Sequence, residues 1–130
     1  MKLNIQPDKE KAKSLLALAQ ITLERLKEIN PQKYPANTLT DYYDTIHKLL
    51  ESLCLANGIK IKGDGAHQEL IDYICASYQF TEADRIFLQE LREYRNKISY
   101  EGLNINPSFI KINSERIELI ILKLKSLIKF

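Results

Sequence analysis

An all-α fold, an antiparallel up-and-down bundle of about five helices, is what this sequence predicts, and three observations predict it. Apolar residues recur at spacings of three and four through most of the chain, the period of a helix with one buried face. Four glycines and four prolines in 130 residues are too few for a turn-rich β fold. No stretch alternates apolar and polar residues for long enough to make a convincing strand. A composition 45% apolar and 28% charged excludes disorder, and the length suits a single domain, residues 1–130.

The first helix is expected over Lys9–Ile29, with Leu15, Ala19, Leu23 and Leu26 on one stripe. Asp8 after Pro7 supplies its cap, and Asn30-Pro31 stops it, because proline removes a donor and restricts the residue before it. Gln32 to Asn37 reads as a polar connection. A second helix follows, carrying Leu39, Tyr43, Ile46, Leu50, Leu53 and Cys54, and Asn57-Gly58 closes it as a left-handed cap. Ile59 to Gly65 alternates Ile59, Lys60, Ile61, Lys62 but holds two glycines, so it reads as a mobile loop, with a short extended stretch as the alternative. The third helix should start near Asp64 or Gly65 and reach about Tyr78. Thr81 and Asp84 resemble a capping box that opens a fourth helix, ended at about Glu101 by Gly102. After the connection Leu103 to Pro107, a last helix is expected from Asn113 or Ser114, with Ile117, Ile120, Ile121, Leu124 and Ile128 on one face. The helices share no repeat period.

Nineteen Lys and Arg against seventeen Asp and Glu leave a net charge of +2, far from the balance of a protein built around nucleic-acid charge. No apolar run approaches the roughly 20 residues of a membrane span, and Met1 to Lys13 lacks the apolar core of a signal peptide. A cytoplasmic chain with no membrane partner is the expectation. Cys54 and Cys75 sit among apolar neighbours and read as small buried hydrophobes.

One helix breaks its own pattern. In the fourth, Phe87, Leu88, Leu91, Tyr94 and Ile98 define the inward face, and Arg95 joins them, seven residues after Leu88 and four after Leu91. A guanidinium there must snorkel its head into water, be paired, or face a cleft, because an unpaired buried charge costs several kcal/mol.

The run Leu91-Arg-Glu-Tyr-Arg-Asn-Lys-Ile-Ser-Tyr-Glu-Gly102 resembles the signature of HEPN domains, small prokaryotic helical bundles with an Arg, a polar residue and, four to six residues on, a His. Arg95 and Asn96 match the first two, and the His position falls on Tyr100. The segment from Tyr43 to Gly65, leading to His67, also looks like archaeal members, so the likeness spans about Thr38 to Gly102. The resemblance implies a homodimer whose Arg and His residues meet in an intersubunit cleft that binds RNA or a nucleotide. It also implies metal-independent ribonuclease activity, or the toxin-like half of a pair with a small nucleotidyltransferase. In such a site Arg95 clamps the scissile phosphate and Asn96 hydrogen-bonds it, while Arg92, Lys97 and His67 contribute to substrate binding. No cofactor and no metal is implied. Arg95 and Tyr100 lie about 140° apart on a helical wheel, too divergent to meet on one phosphate from a single straight helix, so a partner helix would supply the missing half.

The departure at position 100 weakens the chemistry. Taking the 2′-hydroxyl proton suits an imidazole with its pKa of about 6.5, whereas only about 0.1% of a phenol with reference pKa about 10 is ionised at pH 7. Tyr100 can donate a proton or a hydrogen bond, so weak or lost cleavage is expected. His47 and His67 read as isolated half-exposed side chains without metal-ligand spacing, and of the two His67 is better placed, beside a loop at a helix start. Gly63-Asp64-Gly65 lacks the Lys-Ser/Thr ending of a phosphate-binding loop and reads as turn chemistry. Asp41 and Asp44 read as solvated charge, and of Tyr42 and Tyr43 one is expected in the core. The competing reading is a non-catalytic helical protein-interaction module in which Arg95 serves an internal or interfacial salt bridge.

Overall fold

The computed structural model describes the whole chain, Met1–Phe130, as five helices and a two-stranded ribbon: β1 (Lys2–Asn4), α1 (Lys9–Lys27), α2 (Pro35–Ala56), β2 (Ile59–Ile61), α3 (Ala66–Ser77), α4 (Glu82–Glu101) and α5 (Pro107–Leu127). It is an all-α bundle built around α2, which touches every other helix and also β2. Leu39, Ile46, Leu49, Leu50 and Leu53 of α2 are fully buried, and Ile71, Ile74, Leu88, Leu91, Ile117 and Leu124 close over them from α3, α4 and α5. None of the helices is long and apolar enough to cross a membrane.

Neighbouring helices run antiparallel where their contacts can be followed. Arg25 near the end of α1 pairs with Asp41 near the start of α2. Gln89 and Arg85 of α4 reach Gln68 and Asp72 of α3, in opposite order along the chain. Between α4 and α5, Arg116 reaches Asp84 while Phe109 packs edge-on against Tyr94. The caps follow the sequence at α1, where the Asp8 side chain accepts from the Lys11 amide, and at α4, where Thr81 accepts from the Asp84 amide. Asp84 itself accepts from Arg116.

Three boundaries differ from expectation. The first helix ends at Lys27, and the second begins at Pro35, inside the expected connection. The last starts at Pro107, six residues before Asn113: Asn106 caps it through the Ser108 amide, and Pro107 takes the first-turn position where its missing N–H costs nothing. Ile59–Ile61, expected as loop, is a strand because Lys2–Asn4 pairs with it antiparallel, Leu3 opposite Lys60. The ribbon is fastened at its turn: the Ile5 amide donates to the Gly58 carbonyl at 2.8 Å and the Asp8 amide to the Leu55 carbonyl at 2.9 Å. β2 carries the chain back along α2, so that α3 begins beside the middle of α2 rather than past its end.

Candidate functional site

That return places His67, one residue into α3, against His47 in the middle of α2, with the two imidazoles stacked at 3.9 Å between centroids and 22° between planes. Beside them lie two arginines of α4. Arg95 is neither snorkelled nor alone: its Nε donates to Asp44 Oδ1 at 3.3 Å and its side chain is 30% exposed. Arg92, nearly one turn earlier, is more buried, and its Nε donates to Gln89 Oε1 at 2.7 Å. Both guanidiniums open onto a groove of about 380 Å³ whose other wall is the Gly63–Gln68 segment, and Asn96 and Tyr100 complete it.

The helix start on the far wall adds polarity of the same sign. Gly65 caps α3 without a side chain, and the amides of His67 and Gln68 have no protein acceptor. Uncapped amides at a helix N-terminus carry partial positive charge and favour an anion. Two guanidiniums and these amides thus face one concave space, with the Asp44 and Asp64 carboxylates as the opposing charges.

His67 is the hinge between this groove and a smaller cavity of about 130 Å³ behind it, which Lys11, His47, Glu51, Cys54 and Lys60 help to line. Burial pushes its pKa below the ordinary imidazole value, and the charges of His47, Arg95 and Arg92 act in the same direction against Glu51. Glu51 accepts from His47 Nε2 at 2.7 Å, a bond that holds its carboxyl below the usual range. Under the arginines two polar atoms are buried without hydrogen-bond partners, the Tyr43 hydroxyl and His47 Nδ1. Burial raises the Tyr43 phenol to about 12, against the pull of Arg92 and Arg95.

Of the residues singled out from sequence, Arg92, Arg95, Asn96, Tyr100 and His67 share the groove, whereas Lys97 is exposed and does not line it. Arg95 and Tyr100 border the same space within one chain, because a groove wall several ångströms wide spans the angle between them; a partner helix is not needed for both to line it. Tyr100 is 83% exposed. Several readings are corrected. Asp41 and Asp44 are ion-pair partners of Arg25 and Arg95. Tyr42 and Tyr43 are both buried. His47 and His67 are not isolated but stacked. The missed signal was the spacing Tyr43, His47, Glu51, a polar stripe at i, i+4, i+8 on a helix whose neighbouring positions are buried. No group of three or more His, Cys, Asp or Glu side chains is disposed to hold a metal ion. No family model matches the chain, and neither does any of the curated proteins or solved structures compared with it.

Proposed function

We propose that this chain is a HEPN-like subunit that binds RNA or a nucleotide by its phosphate in the groove between α4 and the start of α3. The observation that carries this reading is the convergence of Arg92, Arg95 and the uncapped amides of α3 on one concave polar space. A phosphate there would receive charge-assisted hydrogen bonds from a guanidinium and neutral ones from backbone amides, with Asn96 beside it as a further polar group. The reading includes a homodimer, whose second copy would extend the groove past the exposed ring of Tyr100, and pairing with a small nucleotidyltransferase. Cleavage that depends on Tyr100 as the base is weak or lost.

Fluorescence anisotropy with a labelled single-stranded RNA tests it. Arg95→Ala is expected to weaken binding by at least about tenfold with the helical spectrum unchanged, and affinity should fall as salt rises. Equal binding by the variant refutes the reading. The Arg95–Asp44 pair favours a second reading, a non-catalytic protein-interaction module in which that pair is structural. It predicts unchanged RNA behaviour for Arg95→Ala and a lower melting temperature instead.

A further inference from the structure

The groove holds a proton-accepting group that the Arg95 to Tyr100 run does not contain. We infer that His67 is the general base of this groove, taking the 2′-hydroxyl proton of a bound RNA, and that His47 and Glu51 are its positioning residues. The inference rests on the proposal that RNA binds here.

Geometry supports it first. His67 lines the groove together with Arg92 and Arg95 and is stacked on His47. The His47 ring is fixed in turn, by its bond to Glu51 at 2.7 Å and by burial between α2 and α3. The stack on His47, itself held by Glu51, restricts the position of the His67 ring, and a positioned base is what general-base catalysis uses. Stacking also keeps His67 available, since the His47 ring 3.9 Å away acts against a charge on His67. The charged and titratable groups that line the two spaces with His67 are Lys11 of α1, His47, Glu51 and Cys54 of α2, Lys60 of β2, Asp64 of the loop, and Arg92, Arg95 and Tyr100 of α4. Burial first, and then the charges of His47, Arg95 and Arg92 against Glu51, leave the imidazole neutral to lower pH than usual.

The step balances without any other reactant. The 2′-oxygen attacks phosphorus as its proton passes to His67, and the 2′-O–P bond forms while the P–O5′ bond breaks. Arg92 and Arg95 stabilise the charge gathering on the non-bridging oxygens. The 5′-oxygen leaves with a proton from water in the open groove, and His67 returns its own to solvent. The products are a 2′,3′-cyclic phosphate and a 5′-hydroxyl.

The test uses the full chain, single-stranded RNA and EDTA, with binding and cleavage measured separately. Wild type should bind RNA and produce cyclic-phosphate ends. With protein in saturating excess over RNA, His67→Gln should cleave the bound RNA slower by a factor on the order of 10² or more. The wild-type rate should rise with pH to a plateau whose inflection lies below 6.5. His47→Gln should move that inflection upward, because it removes a neighbour that disfavours the charged form of His67, an effect that a purely structural role would not produce. RNA binding that depends on Arg95 without any cleavage, or cleavage unchanged in His67→Gln, overturns this inference and leaves the binding proposal standing. Absence of RNA binding overturns both.

Discussion

At Arg95 a guanidinium is shared between two demands. Its pair with Asp44 is partly exposed, so the ion pair contributes no more than about 1 kcal/mol to stability. The same carboxylate competes with any phosphate that enters the groove. Asp44→Asn should therefore leave the melting temperature nearly unchanged and tighten RNA binding, measured by anisotropy against wild type; weaker binding would mean that Asp44 orients Arg95 rather than competing for it. The histidine pair leaves a trace in acid stability. His67 has a lowered pKa in the fold, so the unfolded chain takes up that proton first and stability declines as pH falls below about 6.5. Glu51 is also lowered, and the stability it contributes is complete above its unfolded value of 4.5 and lost as pH falls through its native value. Melting curves from pH 7 to 3 should show both declines. His67→Gln should remove the upper one, and Glu51→Gln should shrink the lower one, to which Glu82 beside Arg85 also contributes.

Among the elements, the β1–β2 ribbon matters most for the site, because it sets where α3 begins. Its turn depends on Gly58, which has φ +76° and whose added Cβ would lie 2.7 Å from the Ile5 carbonyl oxygen. Gly58→Ala should destabilise the protein by more than about 1 kcal/mol in urea melts and, by loosening the return of the chain, weaken RNA binding as well. Asn106→Ala should cost about 1 kcal/mol through the lost cap of α5, with binding intact. The start of α5 was legible as Asn106-Pro107 but masked by weak amphipathicity: Ile112 is 74% exposed, so the apolar stripe becomes regular only from Ile117. β2 was legible only as the alternation Ile59, Lys60, Ile61, Lys62, too short to decide between strand and loop. Three residues make a strand only with a partner, and the partner lies more than fifty residues earlier in the chain.

For the whole molecule, α2 is the axis on which the other helices pack, and its removal from water dominates the stability. Leu50→Ala should lower unfolding free energy by about 2–5 kcal/mol, read as an earlier urea midpoint with all helices lost together. The dimer in the functional proposal has its own measurement: sedimentation equilibrium should return twice the mass of one chain, and a monomer at all concentrations would remove the second copy from the site.

The sequence by itself determined the helices, four of their caps and the inward position of Arg95, because periodicity and capping are local properties that neighbouring residues settle among themselves. Only the tertiary structure decided that His67 stacks on His47, that Asp44 rather than water meets Arg95, and that Arg92 and the start of α3 border one groove. Each of these contacts joins residues that are 20 to 51 positions apart, and their meeting depends on where a three-residue strand turns the chain back, which no local pattern encodes.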